Sequence, residues 1–332
     1  MTLRPSVRTV ALAGALVVAL QLAAPTGALA ATGTALTLAA TPATAKVGDA
    51  IDLSGTLSFA DLSSSAGQTI TLTRDDAAGS GQPLGDVVTD SDGSYSATDT
   101  VDVGGSVTYH ASFAGSPGYD PAQASDDVTV SKLASKVSLA VSARAVTFGT
   151  PVHLTAHLGR GTESRVVAIF AKPDGGSEKR IRKARVDRHR DLHATFTPSK
   201  DTTFTARFDG DLAHRGAHDE AVTRVRVIVR AQLKKAVARS GRYRIYRRGT
   251  RAPCVVRVLP NHKGFAVRAT LQMFTNGRWR PSAKKAFPLN ASSLAGFAIR
   301  GTANVNFRVH VSLPTHADHL GDTSPWLYLR FR

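Results

Sequence analysis

Apolar side chains recur at every second position along most of this chain, a spacing that belongs to strands and not to helices. Ile51, Leu53, Gly55 and Leu57 alternate with Asp52, Ser54 and Thr56. Ile70 and Leu72 alternate with Thr69, Thr71 and Thr73, and Val107, Tyr109, Ala111 and Phe113 with Thr108, His110 and Ser112. Val222, Val225, Val227 and Val229 close a later stretch. A period of two gives each strand one apolar face, which a second sheet must cover. Between the runs lie Asp92-Gly93, Gly104-Gly105, Asp174-Gly175-Gly176 and Asn276-Gly277, residues that supply the positive φ angles of tight hairpins. Short strands with frequent turns predict an all-β fold of β-sandwiches. Helix signals are weak; Gln232–Arg239 reads as a basic linker or one turn of helix.

The chain has 332 residues, enough for two or three domains at roughly 100–200 residues each. Its charge is partitioned. Residues 31–131 hold Lys46 and Arg74 against thirteen acids, a net of −11. Residues 132–230 hold nineteen basic groups and ten acids, a net of +9; residues 231–332 hold nineteen basic groups and only Asp318 and Asp322, a net of +17. The breaks predict an acidic sandwich over 31–131, a basic one over 132–230 and a strongly basic one over 231–332. Ahead of them, Arg4 and Arg8, the apolar run Val10–Leu20 and the exit Ala28-Leu29-Ala30 have the parts of a secretory signal peptide over 1–30. The run is shorter than a membrane span needs. The expectation is an exported product, released or held non-covalently at a surface, with no lipid anchor and, after signal cleavage, no transmembrane segment; the alternative is an uncleaved membrane anchor.

An internal repeat links the first two blocks. Lys46-Val47-Gly48 with Leu53 and Leu57 corresponds to Thr147-Phe148-Gly149 with Leu154 and Leu158. Thr108-Tyr109-His110-Ala111-Ser112-Phe113-Ala114-Gly115 corresponds to Thr203-Phe204-Thr205-Ala206-Arg207-Phe208-Asp209-Gly210. Such a period marks tandem domains. Val47-Gly48, Leu53-Ser54-Gly55-Thr56-Leu57, Thr89-Asp90-Ser91-Asp92-Gly93-Ser94-Tyr95 and Tyr109 with Phe113, Gly115 and Tyr119 resemble a bacterial immunoglobulin-like repeat domain, a family found in tandem in secreted and surface proteins, notably of actinobacteria. The resemblance covers 33–131 best, 134–230 less closely and 240–332 weakly, where the Thr-Asp-x-x-Gly-x-Tyr turn is absent. It implies an adhesive, spacer or display role and brings no catalytic residues with it.

The motifs that carry chemistry are incomplete. Asp90-Ser91-Asp92-Gly93 resembles the start of a calcium loop, but an EF-hand needs Glu at its twelfth position, which here is Val101. The plain reading is a hairpin turn; the alternative is a looser interdomain calcium site on the acidic first domain. The pairs His153/His157, His189/His193, His214/His218 and His316/His319 are each too few for zinc, which takes three or four protein ligands, and read as exposed titratable residues. No G-x-S-x-G elbow is present, and the three glutamates, Glu163, Glu178 and Glu220, form no catalytic pair. No enzyme, cofactor or metal is expected. Cys254, the single cysteine, reads as a core side chain, with an intermolecular disulfide as the alternative.

The basic groups are the most informative. They cluster over Lys179–Arg190 and Lys234–Arg251, and Arg278, Arg280, Lys284 and Lys285 flank Trp279. Tyr243, Tyr246, Trp279 and Trp326 are interleaved. Export argues against specific nucleic acid; the expected partner is an anionic cell-wall polymer or another polyanion, and the alternative is a basic surface that serves solubility alone. The residues expected to bind it are Arg182, Arg185, Arg188, Arg244, Arg247, Arg248, Arg278 and Arg280, whose forks pair with phosphate or carboxylate. The acidic first domain could instead dock on a basic one. Near the end, Trp326, Tyr328 and Arg330 share one strand face and Leu327, Leu329 and Phe331 the other; one of the two must pack. The function expected is a non-enzymatic extracellular binding or spacer module. The alternatives are a stalk without ligand and an enzyme with an unrecognised site in the last domain.

Overall fold

The computed structural model describes residues 31–159 and 165–332; the expected signal peptide lies outside the described residues. Three hydrophobic cores follow one another along the chain, each between two sheets built in the same order. In the first domain, Thr34–Leu36 and Ala39–Thr41 pair along one edge of Ala50–Phe59, and Ser94–Thr100 pairs along the other. The chain then switches sheets: Thr44–Lys46 runs parallel to Ala122–Ser131, which continues through Gly105–Phe113 and Thr69–Asp76 to Gly79–Val88. The second domain repeats this with Ala145–Thr147 parallel to Ala217–Arg226. The third does so with Tyr243–Tyr246 parallel to Leu327–Phe331. The fold is all-β, with tandem immunoglobulin-like sandwiches. No helix among the described residues is long and apolar enough to cross a membrane.

The alternation read from the sequence becomes burial. Ile51, Leu53 and Leu57 are buried while Asp52 and Ser54 are exposed, and Asn306–Leu313 buries every second residue. In the last strand Leu329 and Phe331 are the inward set, and Trp326, Tyr328 and Arg330 lie half-buried on the outer face. Two readings need correction. Gln232–Arg239 holds no helix: Ile228–Leu233 is a strand, paired with Ala252–Leu259, and Ala238–Ser240 is another. Val229, Ala231 and Leu233 alternate toward the core, and Lys235 at φ 58° turns the chain between the strands. For the same reason the third core begins ahead of Ala231, because it already contains Val227 and Val229, whereas Val222 is exposed.

The third domain makes the turn whose sequence motif it lacks. Asp90 N donates to the Ser94 carbonyl and Gly93 N to the Asp90 carbonyl. Asp187 with Asp191 and Arg190, and Asn290 with Leu294 and Ser293, make the same bonds. The left-handed position falls to Gly93, Arg190 and Ser293 in turn, at φ 82°, 67° and 59°. Gly93 is also sterically required, since a Cβ there would stand 2.4 Å from the Leu57 carbonyl. Asp92 Oδ1 accepts from Ser94 N and Oγ. The Asp90–Gly93 segment is thus a hairpin turn with its own internal hydrogen bonds.

Arg74, one of the two basic residues of the first domain, is not on its surface. Its Nη1 lies 2.7 Å from Asp99 Oδ2, and its Nη2 donates to Gln82 Oε1. Its Nε approaches Asp76 Oδ2 at 2.8 Å as a contact of charges without hydrogen-bond geometry. The Tyr109 hydroxyl donates to Asp99.

Successive domains are joined in one way. The Gly104 amide donates to Leu212 O, and Leu133 exchanges backbone bonds with Ala213 and Arg215. At the second joint the Asp201 amide donates to Asp318 O, and Leu320 bonds Val225 and Val227. In each case the loop before the last edge of one domain rests on the domain before it.

Candidate functional site

The outer face of the larger sheet of the third domain gathers most of the aromatic residues singled out in the sequence. Its strands run in the order Ala238–Ser240, Tyr243–Tyr246, Leu327–Phe331, Asn306–Leu313, Ala266–Thr275, Arg278–Pro288. Register places Tyr243, Tyr328, Arg308 and Gln272 side by side across four of them. The Arg308 guanidinium lies between Trp326, 4.2 Å from the ring centroid, and Trp279, at 4.6 Å. Its Nε donates to Gln272 Oε1. Arg242 lies 4.2 Å over Tyr328, and Arg330 lies 5.2 Å over Tyr243. His310 stacks on Trp326 at 4.0 Å; burial first, and then the neighbouring Arg308, lower its pKa. Cations and rings alternate across the sheet, and each cation–ring contact is worth roughly 0.5–2 kcal/mol depending on exposure. The stacking holds the flexible guanidiniums flat, and Gln272 and Asn306 anchor the Nε edges of Arg308 and Arg330.

The predicted arginines do not all share this face. Arg244 lines a cavity of about 660 Å³ together with Lys234, Lys235, Arg239, Arg242 and Tyr328. Arg278 and Arg280 flank Trp279 in sequence, but alternation turns them to the opposite face: Arg280 is in register with Met273, which packs on the core, whereas Trp279 pairs with Phe274. They sit four strand steps from the Arg244 strand, about 19 Å at the usual strand spacing. Arg247 and Arg248 are exposed in the turn after Tyr246, where Arg248 N bonds the Arg332 carbonyl. In the second domain Arg182 and Arg185 lie on the edge strand Lys179–Arg185, and Arg188 lies in the turn beyond it. The Arg182 Nη1 donates to the His193 carbonyl, and the Arg188 Nε to His189 Nε2. Sequence reading missed Arg242, Arg308 and Arg330 as members of a stacked set. Arg308 stands alone between Phe307 and Val309, so only strand pairing brings it to Trp279 and Trp326.

The basic charge of this domain is uncompensated. Among the described residues no lysine or arginine of 231–332 forms an ion pair with a carboxylate. Both of its carboxylates are engaged: Asp318 with Lys200 and His319, and Asp322, whose Oδ2 accepts from Val229 N.

Two expectations about reactive side chains separate here. His153 and His193 are exposed, as read, and His157 is partly so, bonded to Asp191. His316 and His319 are not exposed: His319 is 2% accessible, and both are packed beside His262 at the second joint. Cys254 is buried in the third core, and burial pushes its thiol up to about 12. A neutral, inaccessible thiol does not couple to a second chain. Non-reducing electrophoresis is therefore expected to show monomer only, and a dimer band lost on reduction would contradict this placement.

No family model and no curated protein matches the chain in sequence. Solved structures do match it in fold. A tetra-tandem repeat from the extending region of a large adhesion protein superposes at TM-score 0.52 and 17% identity, over 90% of this chain and 73% of that one. Looser likenesses are the Yersinia pseudotuberculosis adhesin InvE (TM-score 0.34, 16% identity, 58% of this chain and 59% of that) and the Escherichia coli adhesin FdeC (0.30, 13%, 90% and 96%). The likeness is one of fold: sandwiches in tandem, here three joined by backbone bonds.

Proposed function

We propose that this chain is a non-enzymatic extracellular repeat module whose basic second and third domains lie against an anionic polymer of the cell wall or another surface polyanion. One observation carries the reading: among the described residues, none of the nineteen lysines and arginines of 231–332 forms an ion pair with a carboxylate, and part of them are held flat by stacked rings. A surface of that kind, kept charged and pre-ordered, loses little side-chain entropy when an anion arrives. The likeness in fold to an adhesion-protein repeat supports the module; the charge supports the partner. The acidic first domain points the polymer contact to the other two.

The test is co-sedimentation of the protein with purified cell-wall sacculi, with and without their anionic polymers, across a salt series. Binding is expected to need the polymers and to fade with salt, as contacts to a polyanion do. Each lost cation at such a surface costs on the order of 1 kcal/mol. The double substitution R242A/R244A should therefore weaken binding roughly 30-fold. Binding that ignores both salt and these substitutions would reject the electrostatic contact and leave a spacer without ligand.

A further inference from the structure

Four side chains converge at the joint between the second and third domains. His316, Asp318 and His319 come from the loop between Asn306–Leu313 and Asp322–Thr323; His262 comes from the loop after Ala252–Leu259. Their donor atoms all lie within 4.8 Å of one another, and His262 and His319 are 4% and 2% accessible. The three imidazoles form a triangle with centroids 4.8, 4.9 and 5.6 Å apart. Phe265 covers it, 4.5 Å from the His316 ring.

The hydrogen bonds leave the nitrogen lone pairs turned inward. His262 Nδ1 is 2.9 Å from the Pro260 carbonyl. A carbonyl only accepts, so Nδ1 carries the proton and Nε2 keeps its lone pair. His319 Nε2 is 2.8 Å from the Ser199 carbonyl and must likewise donate. Its Nδ1 then faces Asp318 Oδ1 at 3.0 Å, and two acceptors at that distance repel unless a proton or a cation lies between them. Both ring nitrogens of His316 are buried without any hydrogen-bond partner, a state that is otherwise costly. Lys200 holds the other oxygen of Asp318 at 2.9 Å. Carbonyls and an ammonium behind the inner atoms are the outer shell that orients metal ligands.

We propose that His262, His316, Asp318 and His319 form a structural site for a tetrahedral transition-metal ion of the zinc type, which locks the joint between the second and third domains. Three imidazoles and a carboxylate suit zinc, whereas calcium takes oxygen ligands. A tetrahedral zinc sets its ligands about 3.4 Å apart, so the rings close on the ion by small side-chain rotations. The loop that supplies three of the ligands is also the one that rests on Ser199, Lys200 and Asp201. Ordering it therefore orders the joint.

The test uses the full chain, stripped of metal by a chelator, with zinc chloride as the probe. Titration calorimetry is expected to show one tight equivalent. At a hundredfold excess over Kd the transition of the third domain should rise by roughly 10 °C or more. H316Q and H262Q each remove one ligand while keeping a polar side chain. Each should weaken binding at least hundredfold, beyond what outer-shell changes cost, with the melting temperature of the metal-free protein little changed. H153Q, a surface control, should bind as the parent does. The site is rejected if zinc shows no saturable step near one equivalent, if both H316Q and H262Q bind as tightly as the parent, or if calcium chloride binds there in preference to zinc.

Discussion

Removal of residues 324–332 is expected to abolish the cooperative unfolding transition of the third domain while leaving those of the first two. Leu327–Phe331 is an interior strand, hydrogen-bonded to Tyr243–Tyr246 on one side and to Asn306–Leu313 on the other. Its loss opens two unpaired edges in the middle of a sheet and strips Leu329 and Phe331, both fully buried, from the core. Phe331 packs on Tyr246 and Phe307, and its ring fills the space beside Gly301, where a Cβ would stand 2.4 Å from it. The graded version is Phe331→Ala, expected to cost about 3–5 kcal/mol, which for a domain of this size lowers Tm by well over 10 °C. Scanning calorimetry of the full chain reads both; an unchanged third transition in either variant would mean that this strand does not build the core.

Arg74→Ala should have a comparable effect on the first domain. Arg74, Asp76 and Asp99 have side chains 14%, 0% and 13% accessible, so removing the guanidinium leaves two carboxylates without their cation in a low-dielectric setting. Breaking such a buried pair costs about 3–5 kcal/mol. The pH dependence has a definite sign. Burial raises the pKa of Asp76, but bonds from Ala78 and Gln82 and the charge of Arg74 outweigh it, and the net shift is downward. In the parent protein this carboxylate therefore contributes stability above its unfolded pKa and loses it as pH falls through the lowered folded value. In Arg74→Ala burial is less opposed, so the carboxyl protonates more readily. The gap between variant and parent should be largest near neutrality and narrow on acidification. A gap that widens toward low pH would show that the guanidinium does not act through these carboxylates.

Some of this organisation was legible in the residues alone and some was not. The alternation of Ile51–Leu57 and of Val107–Phe113 predicted their burial because strand parity is local. The same rule failed at Gln232–Arg239, where basic side chains masked the inward series Val229, Ala231, Leu233. The missing turn motif of the third domain hid a preserved turn, because Asn290 makes the bonds of Asp187 and Ser293 accepts a left-handed φ that Gly93 would have announced. Arg278 and Arg280 were chosen for their nearness to Trp279, yet nearness in sequence puts neighbours on opposite faces of a strand.

The sequence by itself determined the all-β class, the tandem sandwiches and the steep partition of charge, because a two-residue period and a count of charges need no knowledge of what the chain meets after it turns. Only the tertiary structure decided which polar side chains act together. Arg308 reaches Trp279 and Trp326 through sheet order, and His262 reaches His316 and His319 through the meeting of two loops. Neither juxtaposition has a spacing in the chain, because cross-strand and loop-to-loop neighbours are fixed by how the sheets pair and pack, not by the pleat of any one strand.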